Sequence, residues 1–422
     1  MSDLVNTVDV AIIGAGQAGL SVSYYLQKMG ILNQIIFEKN EIAHSWKNER
    51  WDNFSLVTPN FQCRLPDHNY AGSDPSGFML KQEIVEYVLK FAEKIKCPIF
   101  EGVEVISVEK ESDSFIIKAT NGRWNCKNVI VATSSFHTPV FPKNVESIPK
   151  SILQIQANKY KNSSQMRDGA TVIVGSGQSG CQIAEDLMLE GHQVHLFLGN
   201  APRSPRKYRG KDAVAWLEEM GYYKTTFAEH PNQKKALTGT NHYLSGRDGG
   251  KEIDLRKFAQ QGVRLYGYLE KVNQDGFVAR ADLKEKLDNA DKSYLGIRKR
   301  IDNYIKEKGI DVPLEPDYEP CWYPTSEKTE LNFLDNEIAN IVWCIGYKPN
   351  FDYIHANIFD NRGFPVQERG ITRISGLFFI GLPWQNTWGS SRFSGIAEDS
   401  KFIADNVVDS LSHNPTKDYH LI

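Results

Sequence analysis

One nine-residue stretch occurs twice in this chain, as Ala11-Ile12-Ile13-Gly14-Ala15-Gly16-Gln17-Ala18-Gly19 and as Val172-Ile173-Val174-Gly175-Ser176-Gly177-Gln178-Ser179-Gly180. Each copy ends a short, β-branched apolar run, 8–13 in the first case and 171–174 in the second. Such a run suits a strand buried on both faces of a parallel sheet. Each copy also opens a segment with helical spacing, 20–29 closed by Gly30 and 181–189 stopped near Gly191. Strand, glycine turn and helix in that order constrain the fold to an α/β class with two Rossmann-like units. A chain of 422 residues is also too long for one simple core, which agrees with two domains.

The three glycines of each turn have distinct physical tasks. Gly14 permits the tight turn, Gly16 lets the backbone approach a pyrophosphate, and Gly19 lets the helix pack closely on its strand, with the helix N-terminus aimed at the phosphates. Gly175, Gly177 and Gly180 repeat the pattern, with Gln17 and Ala18 matched by Gln178 and Ser179 and with Ser176 in the position of Ala15. Two dinucleotides are therefore expected. They differ in the residue that ends the next strand. Residues 34–37 run into Glu38, a carboxylate placed to accept ribose hydroxyl protons, whereas 193–198 run into Gly199. No acid is left at the second site to repel a 2'-phosphate. Arg203, Arg206, Lys207, Arg209 and Lys211 crowd the stretch beyond it, and a guanidinium fork matches a phosphate. The expectation is FAD at the first turn, and NADPH rather than NADH at the second, held by Arg203, Arg206 and Lys207.

Together these residues resemble the class B flavoprotein monooxygenases, a group that includes the flavin-containing monooxygenases, the plant auxin-synthesis monooxygenases and a bacterial branch of flavin-dependent oxidoreductases. The resemblance covers nearly the whole chain. Residues 44–47 and 50–59 are similar to the segment that wraps the flavin, which implies cofactor contacts from Lys39, Trp46, Arg50 and Thr58. Residues 129–133 and 341–347 resemble the two crossings between domains, and 377–381 the last strand to meet the flavin. These imply roles for Val105, Ala132, Gly346 and Gly381. Residues 388–395 lead into a helix near Ile396 whose positive end would face the flavin pyrimidine. The family's F-x-G-x-x-x-H-x-x-x-(Y/W) stretch has its best match at 150–160. There Tyr160 fits, while Lys150, Ile152 and Gln156 replace the Phe, Gly and His. The resemblance implies that Asn60 lies near flavin C4a and that Gln156 contacts NADP.

The implied domains are an FAD-binding domain over 1–165, an inserted NADPH-binding domain over 166–335, and a return to the FAD domain over 336–422. The segment 208–256, with Trp216, Tyr222 and Tyr223, exceeds what a bare nucleotide domain needs and is where a substrate lid would lie. Amphipathic helices are expected over 81–96 and 281–308. The activity implied is an NADPH-consuming monooxygenase that oxygenates a small, partly apolar substrate at N, S or a carbonyl through a flavin C4a-(hydro)peroxide. The alternative is an NADPH-dependent reductase that inserts no oxygen.

Composition narrows the partners. The net charge of -3, with 24% charged and 41% hydrophobic residues, gives no field that would recruit nucleic acid. Six cysteines without a C-x-x-C pair fit a reducing cytoplasm and argue against a redox disulfide or zinc knuckle. No apolar run approaches the ~20 residues of a membrane span, and 1–10 lacks the pattern of a signal peptide. The expected partners are a small substrate and O2; a homo-oligomer is left open. His44, His137 and His242 read as structural, and Cys181 as a buried apolar side chain.

Overall fold

The computed structural model describes residues 5–412; the expectations for 1–4 and 413–422 fall outside them. The first sheet has a parallel core in the order Ile99–Phe100, Gln34–Phe37, Val5–Ile13, Gly122–Val131. Leu377–Phe379 extends it, pairing in parallel with the C-terminal half of Gly122–Val131. The N-terminal half of that long strand instead carries an antiparallel meander, Val105–Glu111 and Ser114–Ala119. Both faces of Val5–Ile13 are covered, which explains its unbroken apolar character. Val10 and Ile12 pack with Leu20 and Val22 of helix Gln17–Lys28 and with Ile403 and Val407 of helix Ile396–Ser412. Ala11 and Ile13 face Phe37, Val129 and Phe379 on the other side.

The second sheet is parallel throughout, in the order Leu153–Gln156, Ile338–Trp343, Ala170–Val174, Val194–Phe197, Arg264–Tyr266. Helix Gln178–Leu189 buries Ile183, Ala184 and Leu187 on one face. The antiparallel strands Leu269–Asn273, Gly276–Ala279 and Glu330–Asn332 cover the other, placing Val272, Phe277 and Leu331 against Val172 and Val174. This sheet reaches beyond the 166–335 expected for the inserted domain, because Leu153–Gln156 and Ile338–Trp343 both belong to it. The apolar Ile341 and Val342 are wholly buried between its layers, so the strand entering the second crossing sits in the unit it is leaving.

The two connectors touch, Thr138–Pro139 pairing antiparallel with Tyr347–Lys348. His137 pins this hinge by bonding the Thr133 carbonyl and accepting from the Asn350 amide, which makes it a structural histidine. The helix expected over 81–96 ends earlier, as Lys81–Ala92, where Lys94 and Ile95 tighten into i→i−3 bonds ahead of Pro98. The long helix is Leu283–Lys308, closed by Gly309 in the left-handed region.

Candidate active site

The first turn is built as its glycines require. Gly14 has φ +105°, and a Cβ there would lie 2.8 Å from the Ala132 carbonyl oxygen; one at Gly19 would run into the Gly14 carbonyl. A Cβ at Gly16 would meet no protein atom within 4 Å. Gly14 and Gly19 are thus needed by the fold, whereas Gly16 borders open space at the N-terminus of a 12-residue helix that no side chain caps. That space and those free amides suit a pyrophosphate. Glu38 closes the turn: its carboxylate accepts from the Ala15 amide at 2.9 Å and from the Asn40 amide at 2.9 Å. Its neighbour Lys39 pairs with Glu104 at 2.7 Å, and the Val103 amide donates to the Glu38 carbonyl, so Lys39 and Val105 gather beside Glu38. On the other flank the Trp46 indole donates to Gln17 at 3.2 Å, and Gln17 reaches the Ser391 carbonyl. Arg50 lies over the Trp46 ring at 5.1 Å, and its only hydrogen-bond acceptor among the described residues is the Glu49 carbonyl. Burial pushes its guanidinium pKa down, the expected state of a cation built to meet an anion. Ala132 donates to Ile13, and a Cβ at Gly381 would lie 3.0 Å from the Ala18 Cβ, so the first crossing and the end of the last strand both lie beside this turn. These residues fit the diphosphate and ribose of FAD.

The second turn repeats the geometry. Gly175 also has φ +105°, and a Cβ on it would lie 2.5 Å from the Cys344 carbonyl oxygen, the counterpart of Ala132 at the other crossing. Ser176 replaces the missing acid in part, its hydroxyl accepting from the Gly199 amide at 3.0 Å. Gln178 is clasped by the long loop: its amide accepts from Leu244 and donates back to the Leu244 carbonyl. Ser179 is exposed. Gly346, at φ +92°, accepts from the Val140 amide where the connectors meet. The Gln156 side chain, half-buried at the end of an edge strand, forms no hydrogen bond among the described residues and is free to meet a nucleotide. Cys181 is buried, and burial pushes its thiol pKa well up, so it is not a nucleophile.

Three expected site residues are employed elsewhere. Asn60 is buried with both ends of its amide engaged, donating to the Asp74 carbonyl and accepting from the Met79 amide at 2.9 Å each, so it shapes the 74–79 loop instead of facing a flavin. Arg203 is 1% exposed and bonded to Asp291, Glu252 and Asp254. Burial lowers the pKa of its guanidinium, but the Glu252 and Asp254 carboxylates more than offset this and hold it charged. Arg206 is clamped by both oxygens of Asp212 and donates to the Val57 carbonyl beside the half-buried Thr58. Guanidinium groups whose charge is already met by buried carboxylates are not free to pair with a phosphate. Arg209 and Lys211 are likewise taken by Asp302 and Glu219. Lys207 stays exposed, in a hairpin whose Tyr208 packs on Ile297 and Ile301 of the long helix. The cation that does meet the end of strand Val194–Phe197 is Lys286, which donates to the Asn200 side chain.

Sequence reasoning missed Arg392 and Phe393. Phe393 stacks on Trp46 with centroids 5.6 Å apart, while Arg392 lies 3.8 Å from the Trp388 ring. The signal was present, since Arg392 is the sole charged residue in 374–397. Opposite it, the 208–256 segment reaches across the cleft: Tyr223 meets Trp388 at 4.7 Å, Thr226 bridges to Thr387, and Phe227 donates to the Asn386 carbonyl.

The sequence profile of the pyridine nucleotide-disulphide oxidoreductases matches residues 11–241. The uncharacterized oxidoreductase CzcO-like of Geobacillus kaustophilus (strain HTA426) is 30% identical over 409 residues, spanning 95% of this chain and 98% of its own. The probable indole-3-pyruvate monooxygenase YUCCA4 of Arabidopsis thaliana is 27% identical over 203 residues, 47% of this chain and 49% of its own. Among solved structures, the flavin-containing monooxygenase from Stenotrophomonas maltophilia shares the fold, with a TM-score of 0.67 over 96% of this chain and 100% of its own at 16% identity. Two glycine turns of equal geometry, one closed by the Glu38 carboxylate, agree with two nucleotide sites, and the chain belongs to the pyridine nucleotide-disulphide oxidoreductase family as a CzcO-like, FAD- and NAD(P)H-dependent oxidoreductase.

Proposed function

We propose that this oxidoreductase is an NADPH-consuming monooxygenase that places one atom of O2 on a small, partly apolar substrate. The observation that carries the reading is the closure over the first turn. Tyr222–Lys224 and the residues after it, from one unit, seat on 386–388 of the other, walling the space beside Trp46, Phe393 and Trp388 with aromatic rings. Such an enclosure excludes water, which oxygen transfer requires and simple electron transfer does not. Bound FAD would supply a two-electron carrier that takes hydride and reacts with O2. The chain's own part is positional: Glu38, Trp46 and Arg50 hold the flavin nucleotide, and Gln156, Ser176 and Gln178 hold the nicotinamide nucleotide. Preference for NADPH is supported by the absence of an acid at Gly199. The plant relative YUCCA4 is named for indole-3-pyruvate, which supports a substrate of similar size here.

The test is turnover of the FAD-loaded enzyme with NADPH under 18O2 and a panel of amines, thioethers and ketones. The expected result is one 18O per product and a kcat/KM at least about tenfold higher for NADPH than for NADH, the scale of one charged contact. Reduction of an acceptor with no 18O incorporated would make it a reductase of the same family.

A further inference from the structure

The three most deeply buried arginines among the described residues are spent on carboxylates, Arg203 on Asp291, Glu252 and Asp254, Arg206 on Asp212, and Arg256 on Asp288 and Asp291. Arg298 and Arg50 have no such partner, and neither does the half-buried Arg392. No carboxylate lies within ion-pair distance of it among the described residues; its guanidinium bonds only the Trp388 carbonyl and the Ser391 hydroxyl, two acceptors that leave most of its five donors free. It stands one residue from Ser391, whose carbonyl meets Gln17 of the first turn, and one residue from Phe393, which stacks on Trp46. Its half-buried guanidinium lies close enough to Tyr223 and Tyr222 for both to act on it electrostatically. The walls around it are the Trp388 ring at 3.8 Å, Tyr223 tilted against Trp388 at 4.7 Å, and Tyr222 edge-on to Tyr223 at 5.2 Å. Arg300, exposed and also without an acidic partner among the described residues, lies 5.5 Å from the Tyr222 ring.

We infer that Arg392 is a specificity-determining residue that binds a carboxylate, and that the substrate is an aryl- or alkyl-carboxylate whose apolar body lies against Trp388 and Tyr223. The inference rests on the proposed site of turnover and narrows its substrate class. The physical argument is compensation. Burial pulls the Arg392 guanidinium down to about 10, so it remains a cation at neutral pH yet carries an uncompensated desolvation cost. An incoming carboxylate repays that cost with paired, charge-assisted hydrogen bonds, while an uncharged analogue cannot. Arg300 adds a second positive charge beside Tyr222, favouring the approach of anions.

The same cation could be answered by a phosphate of NADPH, so the experiment separates the two sources. Holoenzyme with oxidised FAD is titrated with phenylacetate, phenylpyruvate and the neutral phenylacetamide, read by calorimetry and by the flavin difference spectrum, in the wild type, Arg392→Gln and Arg392→Lys. Half-saturation by NADPH is measured on the same proteins. The inference expects both carboxylates to bind about 10- to 100-fold more tightly than the amide, the range of one charge-assisted hydrogen bond. Arg392→Gln should erase that discrimination, Arg392→Lys should keep part of it, and neither should move half-saturation by NADPH more than about twofold, well under one charged contact. Equal binding of acid and amide, no binding of either acid, or an Arg392→Gln effect confined to NADPH would each overturn it. Because binding is read without turnover, an enzyme that discriminates through Arg392 but incorporates no 18O would sink the monooxygenase reading and leave this one standing.

Discussion

Arg203 shows how far a local charge pattern can mislead. Five basic residues in 203–211 read as a phosphate site, yet Arg206 and Lys211 pair with the nearby Asp212 and Glu219, and other partners arrive from a distance: Glu252, Asp254 and Asp291 for Arg203, Asp302 for Arg209. Only tertiary structure brings those acids in, so the pattern was legible and its meaning was not. Asn60 failed for a similar reason, its amide being consumed by backbone groups of the 74–79 loop. The glycines succeeded because a glycine turn is a property of a few consecutive residues and needs no distant partner. Arg203→Ala would strand the buried Asp254 and the half-buried Glu252 and leave Asp291 to Arg256 alone, and should cost about 3–5 kcal/mol of stability in chemical denaturation, while the KM for NADPH stays within about twofold. A normal stability with a raised KM would return Arg203 to the nucleotide site.

At the scale of elements, one carboxylate ties together four segments that lie far apart in the chain. Asp186, near the middle of helix Gln178–Leu189 and 1% exposed, accepts from Tyr160 at 2.7 Å, Arg247 at 2.9 Å and Asn53 at 3.2 Å. Asn53 lies in the segment expected to wrap the flavin, Tyr160 in the linker, Arg247 in the long loop and Asp186 behind the second glycine turn. Tyr160 is the one position of the 150–160 stretch that matched the family pattern, and its role here is to anchor the linker. Burial and the Asp186 carboxylate both push its hydroxyl pKa well up, so it stays a donor at every working pH. Asp186→Asn keeps the shape but removes the charge facing Arg247. It should lower stability by about 1–3 kcal/mol, the cost of leaving a partly buried charged partner short of its acceptor. Thermal unfolding of the variant checks this, and an unchanged midpoint would mean the four segments are held by apolar packing alone. The strands, the two helices after the turns and the long helix were readable from periodicity. The docking of one unit on the other was not, because it rests on contacts between residues far apart in the chain, polar ones such as this and Arg206 to Val57 together with shared apolar packing.

For the whole molecule, the duplication in the sequence becomes two parallel sheets whose first helices start at matched glycine turns, each braced by a carbonyl from the crossing beside it, Ala132 or Cys344. The connectors pair with each other, and an apolar cluster runs without a break from Ile12 and Leu20 through Tyr160 to Ile173 and Ile183. The two turns are therefore fixed relative to one another. Among the described residues no helix is long and apolar enough to cross a membrane, and no group of histidine, cysteine or acidic side chains is placed to hold a metal ion. What the arrangement offers instead is two phosphate-binding turns on either side of an aromatic cleft. The most direct test uses the glycines whose Cβ positions the protein itself leaves open, Gly16 with no atom within 4 Å and Gly177 with only Thr240 at 3.7 Å. Alanine at either site is compatible with the fold but intrudes on a bound diphosphate. The flavin-to-protein absorbance ratio of purified Gly16→Ala and Gly177→Ala, with subsequent anaerobic mixing with NADPH, should give a folded, flavin-free protein in the first case. The second should be yellow and no longer reduced by NADPH. Full flavin in Gly16→Ala, or loss of flavin in Gly177→Ala, would contradict the assignment of one nucleotide to each turn.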